Sequence, residues 1–413
     1  MSNQHGNSPG RFDHLLNSPE FEQNPYPLYH QLRAEAPAYW SEAWGCWLLT
    51  RYDDVVNTLR DHKRFSSVGR LTSVIEQELP EPVREQIQPL VRHYSTGLIN
   101  VDPPDHTRLR GLVHKAFTPR VIERLRSHVQ EIVDGLLDQV QAAGRMDVIA
   151  DLSYPLPVTV IAELMGIPKN DHEQFKAWSG QIVEFMATPR PTPAILLRSQ
   201  EALLALRSYF RHIFAEQQRQ APREDLISAL VAVEEAGDKL AEEELLSTCV
   251  TILIGGHETT TNLIASGLWA LLQHPEQLQK LRTRAELIGP AVEEFLRYEG
   301  PFQRNRRIAT EDVRLNGQQI KKGELVVQFL GAANRDPAQF PEPDRLDIER
   351  SPNKHLAFGY GVHFCLGAAL ARLEAPLAIN TVLRRMPDLQ LATDKLEWQN
   401  TVFRGLQELP VTF

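Results

Sequence analysis

A cysteine at the mouth of a helix is a latent anion, and Cys365 is placed there. The run Phe358-Gly359-Tyr360-Gly361-Val362-His363-Phe364-Cys365-Leu366-Gly367 spaces its glycines so that a loop can fold tightly back on itself, and the helix-like Ala368–Glu374 follows. The positive end of a helix stabilises a thiolate, the form that attacks carbon or binds metal. A dinucleotide fingerprint, G-x-G-x-x-G, fails here because its third glycine falls on Phe364. A Cys/His hydrolase is allowed by residue type, but His363 is two positions away and no orienting Asn or Asp is evident. Zinc would ask for more soft ligands than one cysteine. A single thiolate suits haem iron, whose other ligands the porphyrin supplies.

A second constellation lies at Gly255-Gly256-His257-Glu258-Thr259-Thr260-Thr261-Asn262. Two glycines inside a helix cost about 1 kcal/mol each relative to alanine, so something must approach the backbone there. Glu258 with hydroxyls behind it can relay protons where bulk water is excluded. The competing reading is a packing glycine pair with a buried acid paired to an arginine elsewhere. Two weaker pairs follow helical spacing: Glu294 with Arg297, and His106 with Arg110. Such pairs more often decorate surfaces, where they are worth a few tenths of a kcal/mol (about 0.2–0.5).

Long helices must position these groups. Helical patterns cover 27–34, 52–61, 105–117, 119–143, 159–165, 170–185 and 193–218. Over residues 245–272 the sole formal charge is Glu258, which predicts a central buried helix; its polar middle excludes a membrane span. Strands are sparse: Cys46–Thr50, a hairpin at 313–320 turned by Asn316-Gly317, and Leu325–Leu330.

The chain has 413 residues, 42% of them hydrophobic, with Gly 23 and Pro 28, a balance that excludes disorder and collagen-like repeats. Its net charge of −9 offers no general attraction to nucleic acid or an anionic membrane. Cys46, Cys249 and Cys365 are odd in number and far apart, against a disulfide framework. The polar start lacks a charged and then apolar leader, so a cytoplasmic protein without a membrane anchor is expected. Residues 1–20 read as a mobile lead-in.

In this order the segments resemble the cytochrome P-450 family of haem-thiolate monooxygenases, in its soluble bacterial branch, from about Asn24 to Phe413. The resemblance implies a mainly α fold with small β-sheets (α+β) and haem between the long central helix and the cysteine-loop helix. It implies one catalytic domain over residues 21–413. Cys365 would be the axial ligand of haem b, with Phe358, Gly359, His363 and Gly367 in its loop. Gly256 and Thr259 would contact the haem from above, and Glu258 with Thr259 would be the catalytic acid–alcohol pair. His106, Arg110, Arg307 and His363 would hold the propionates. Glu294, Arg297 and Arg345 would form a buried structural triad.

The same resemblance implies O2 and a lipophilic substrate, hydroxylated or epoxidised. Electrons would come from a separate ferredoxin or flavodoxin with its NAD(P)H reductase, docked near Arg108, Arg110, His114, Lys115 and Arg120. A monomer is expected. Peroxygenase, phenol-coupling and haem-sensor readings stand beside this one. The pocket would be lined from 66–98, 191–197, 250–257 and the surroundings of Phe302, with His257 either a polar contact or a tolerated position. Two departures from the family pattern are Leu346, where Phe is frequent, and Pro376, which should bend the helix after the cysteine loop.

Overall fold

A computed structural model describes residues 10–72, 79–188, 191–217, 225–235, 237–400 and 402–413. The central helix runs from Glu242 to Gln273 and is buried along most of its length. Its three leading glutamates suit the positive helix end, and the Glu244 carboxylate accepts the Ala241 N–H at 2.9 Å. The same three acids tie neighbouring helices to this end: Glu242 pairs with Arg211, Glu243 with Arg207 and Arg211, and Glu244 with Arg108. Further helices pack around it, among them Gln88–Thr96, Pro155–Leu164, His172–Ala187, Pro193–Gln217, Ile288–Tyr298 and Ala368–Arg385. The helical stretch expected over 119–143 is two helices, Pro119–Glu123 and Arg126–Gln141, because the chain turns at Arg124 and Leu125. The Ala368–Arg385 helix continues through Pro376, so the proline does not end it.

The larger sheet has five strands in the order Ala38–Ser41, Cys46–Leu49, Leu325–Phe329, Arg304–Ala309 and Phe65–Ser66. Cys46–Leu49 pairs in parallel with Leu325–Phe329, Cys46 opposite Leu325, and the other pairings are antiparallel. The hairpin forms as expected, with Asn316 and Gly317 both at positive φ, the conformation its tight turn requires. The expected lead-in is shorter than 20 residues. Phe12 and Leu16 are buried in a cluster with Tyr29, Tyr39 and Phe329, because helices Asp13–Leu16 and Pro19–Gln23 give them an apolar face to cover; residues 1–9 lie outside the described residues. The Tyr26 hydroxyl donates to Glu299 at 2.9 Å, joining this amino-terminal layer to residues far along the chain.

Glu294, fully buried, accepts from Arg297 Nε and Nη2 at 2.8 and 2.7 Å. The other guanidinium at this carboxylate belongs to Arg350, whose Nε lies 3.1 Å away, and not to Arg345. Arg345 turns its side chain outward to Glu342 and Asp347 and offers only its carbonyl, which accepts from Arg297 and Arg350. The third member expected from sequence is therefore corrected to Arg350. The segment between them is irregular, so side-chain direction has no period to follow. Leu346, beside it, is fully buried. Among the described residues no helix is long and apolar enough to cross a membrane.

Candidate functional site

The cysteine loop folds as its glycines allow. Gly359 and Gly361 both have positive φ, and a Cβ at Gly361 would meet the Leu59 carbonyl at 3.0 Å. The Gly359 N–H donates to the Leu356 carbonyl at 2.8 Å, and the Cys365 N–H donates to the Phe358 carbonyl at 2.9 Å. The sulfur-bearing residue therefore sits two positions ahead of Gly367, which caps the Ala368–Arg385 helix. Cys365 is exposed only in the sense that it borders a cavity; by depth it is inside the protein. Burial pushes its thiol up, while N–H donors from Gly367 and Ala368 and the charges of Arg110 and Arg372 work to bring it down. A metal cation at the sulfur would complete that stabilisation.

The cavity, of about 310 Å³, extends from Cys365 to the central helix. Phe358, Gly359, His363 and Gly367 border it from the loop, His106 and Arg110 from the Asp105–Ala116 helix, Arg307 from the sheet, and Gly255, Gly256 and Thr259 from the central helix. Arg70 also borders it; it falls in the 66–98 stretch expected to line the pocket, but was not expected among the cations at this end of the cavity. Its Nη1 donates to Asn305 Oδ1 at 2.6 Å. Burial, then the neighbouring Arg307 and Arg306, push its guanidinium down to about 9, and burial pushes Arg307 down to about 10.

Burial, then Arg110, holds His106 down to about 4, and burial holds His363 down to about 3, so both rings are neutral at pH 7. The rings lie 4.2 Å apart, and His363 Nε2 is 3.0 Å from Ser67 Oγ. Both ring nitrogens of His106 and Nη2 of Arg307 are buried without a hydrogen-bond partner among the described residues. Orphaned donors beside three guanidinium groups call for an anion with several acceptor oxygens. The two carboxylates of the haem implied by the resemblance fit that demand, and the thiol of Cys365 fits its iron.

The glycine pair divides its labour. A Cβ on Gly256 would lie 2.9 Å from Ile161 Cγ1, so this glycine exists for packing against the Pro155–Leu164 helix. A Cβ on Gly255 would meet nothing within 4 Å. Both glycines border the cavity, and Gly255 is the one with open space at its Cβ position.

The expected acid–alcohol pair is likewise split. Thr259 faces the cavity, its Oγ1 donating to the Gly255 carbonyl at 2.9 Å. Glu258 faces a second cleft of about 530 Å³, with Tyr154, Lys176, Ser179 and His257 among its walls. Successive helical residues point about 100° apart, which sends neighbours in sequence to different spaces. His257 is turned out of the substrate cavity too: its Nδ1–H donates to the Leu253 carbonyl at 2.8 Å and its Nε2 faces Ser179 Oγ at 3.4 Å.

Of the expected pocket walls, Tyr94, Leu98, Val250, Ile254 and Phe302 are in place. The 191–197 turn is not among them, whereas Met186 is, and Leu196 is in the core. Part of the 66–98 stretch, residues 73–78, lies outside the described residues. Of the cationic group expected to meet a redox partner, Arg108 is engaged by Glu244 and Asp238, and Arg110 borders the cavity. His114, Lys115 and Arg120 remain exposed.

A family model described as Cytochrome P450 matches residues 17–387. The biotin biosynthesis cytochrome P450 of Bacillus subtilis is 45% identical over 96% of this chain and 98% of its own length. The cytochrome P450 monooxygenase PikC of Streptomyces venezuelae is 43% identical over 95% of this chain and 92% of its own. The crystal structure of P450BioI with hexadec-9Z-enoic acid ligated acyl carrier protein superposes with a TM-score of 0.88, at 44% identity, covering 96% of this chain and 100% of that one.

Proposed function

The chain belongs to the cytochrome P450 monooxygenase family, and on that premise we propose that it inserts one oxygen atom from O2 into a lipophilic small molecule by hydroxylation or epoxidation. The reading takes residues 21–413, with the helices from Asp13 onward packed against them, as one catalytic domain of a cytoplasmic monomer. It rests on one observation above the others: Cys365 shares a cavity with orphaned donors of His106 and Arg307 and with Arg70 and Arg110. These groups are suited to haem b, with the Cys365 thiolate on the iron and the cations and His363 at the propionates. When bound, the haem would supply the reductive activation of O2.

The chain's own residues have definite tasks. N–H groups of Gly367 and Ala368 temper the charge on sulfur, and Gly255 keeps space open on the opposite wall. Thr259 spends its one proton on the Gly255 carbonyl, so toward the cavity its oxygen accepts, as a holder of water or a proton donor would. Glu258 collects protons from its own cleft, and these must pass around the helix to reach Thr259. Thr259→Ala is expected to keep consuming electrons while product per electron falls by about tenfold and hydrogen peroxide appears in its place. Unchanged product per electron would remove Thr259 from proton handling.

The lipophilic substrate follows from the apolar walls near Leu98, Val250 and Phe302. Related structures are consistent in kind: P450BioI carries an acyl chain, CYP109E1 from Bacillus megaterium carries testosterone, and CYP267B1 carries myristic acid. Electrons are assigned to a separate ferredoxin or flavodoxin with its NAD(P)H reductase, meeting the exposed His114, Lys115 and Arg120. Thr259 in the cavity favours O2 chemistry over a sensing role.

The deciding experiment is the absorption spectrum of the dithionite-reduced protein with and without carbon monoxide. A strongly red-shifted Soret band is expected. An unshifted band, or no haem band in a folded and haem-supplied sample, overturns the reading.

A further inference from the structure

The substrate end of the cavity is apolar except at a few places, and one of them has a fixed chemical sense. His93, on the Gln88–Thr96 helix, borders the cavity and is 2% exposed. Its Nδ1 lies 3.2 Å from Nη1 of Arg207, on the Pro193–Gln217 helix. A guanidinium can only donate, so Nδ1 must accept with its lone pair. Burial, then the Arg207 charge, hold His93 down to about 3, so the ring is neutral and its one proton sits on Nε2. Among the described residues no hydrogen bond from Nε2 to protein is found. Next to it Tyr94, also bordering the cavity and 5% exposed, has a buried hydroxyl without a partner among the described residues. The two rings meet edge-on, with centroids 5.1 Å apart.

Charge decides what these donors want. Arg207 is held by both oxygens of Glu243, at 2.7 and 2.6 Å, so the cation behind His93 is already matched. A carboxylate brought here would lose its water without gaining a free counter-charge, which is costly. A carbonyl oxygen carries no charge, and its two lone pairs can take two donors.

We propose that His93, through Nε2–H and assisted by the Tyr94 hydroxyl, selects substrates bearing a neutral carbonyl oxygen, as in a ketone, ester, lactone or amide, on an otherwise lipophilic frame. This deepens the monooxygenase reading above and rests on it. His93 is a specificity residue; its Arg207 and Glu243 neighbours position it by fixing the tautomer. An apolar frame supplies most of the affinity, and the carbonyl fixes which end enters first.

The test is a spin-state titration of the haem-loaded enzyme with methyl dodecanoate, dodecanoate and tridecane. These probes offer a neutral carbonyl, an anion and no acceptor on chains of similar length. Wild type is expected to bind the ester about five- to tenfold more tightly than the alkane, the effect of one well-made hydrogen bond, and more tightly than the anion. His93→Leu should remove that ratio, and His93→Gln, which keeps an N–H donor, should restore part of it. Tyr94→Phe should narrow the ratio without abolishing it.

An unchanged ratio in His93→Leu overturns the proposal. So does tighter binding of the anion, or a wild type with no preference for the ester. The carbon monoxide spectrum is recorded on every protein. A wild type without the red-shifted band defeats the monooxygenase reading itself, whereas an intact band with the wrong selectivity defeats only this inference. Should His93→Leu fail to hold haem, the wild-type ratios and Tyr94→Phe decide.

Discussion

Cys365→Ser is expected to lose the red-shifted carbon monoxide band and to lower product formation by about a thousandfold or more, the scale seen when a group the chemistry depends on is removed. A hydroxyl is nearly the same size as a thiol, but it does not ionise near neutral pH and is a poor ligand for a soft metal site. Little else should change. The loop is held by backbone bonds, from the Cys365 N–H to Phe358 and from the Gly359 N–H to Leu356, and these do not involve the sulfur. The variant should therefore keep its unfolding transition and its cavity while losing its chemistry. Product formation at the wild-type rate would remove Cys365 from the mechanism, whatever its position in the cavity.

Glu294→Ala is expected to cost about 3 to 5 kcal/mol of stability, measured as a lowered urea midpoint of the haem-loaded protein. The carboxylate accepts from Arg297, Arg350, the Asp347 N–H and Asn353 Nδ2. Removing it leaves Arg297, whose side chain is also fully buried, as an uncompensated charge. Arg345→Ala is the contrast. Its side chain is exposed and pairs only with surface acids, so the change should stay within about 0.5 kcal/mol. Arg350→Ala should resemble Glu294→Ala more than Arg345→Ala. If the Arg345 variant proves the costlier arginine, the assignment of the network is wrong.

These predictions also mark what sequence reasoning could reach. The cysteine loop was legible because its glycines are demanded by backbone geometry: Gly359 and Gly361 adopt a φ that other residues resist. The hairpin at Asn316-Gly317 was legible for the same reason, and the central helix because a run of that length with a single formal charge has few other uses. Arg345 was expected from the resemblance alone, and an irregular segment has no period from which to read that Arg350 is the arginine turned inward. Glu258 and Thr259 were joined through the resemblance, and their neighbouring positions on one helix send them to different walls. Arg70 carried no pattern at all; only the convergence of sheet, loop and helix brings it beside Arg307. Local backbone requirements were readable from the residues themselves; the meeting of His106, Arg110, Arg307 and His363 beside Cys365 was legible only through the family resemblance, and the places of Arg70 and Arg350 not at all.

The parallel pairing of Cys46–Leu49 with Leu325–Phe329 has a consequence for how the molecule is made. During synthesis the amino-terminal strands emerge first, with the edge that will receive their partner still open. At about 5 to 20 residues per second, the partner strand follows tens of seconds later. The Tyr26 hydroxyl waits almost as long for Glu299. Throughout that interval Phe12, Tyr29 and Tyr39 lack the Phe329 against which they finally pack. Pairing across such a separation is slow, and an unpaired edge beside exposed aromatic rings invites other chains. Yield of the folded protein should thus depend on how fast it is translated and how crowded its nascent chains are, more than on the strength of any contact in the finished structure.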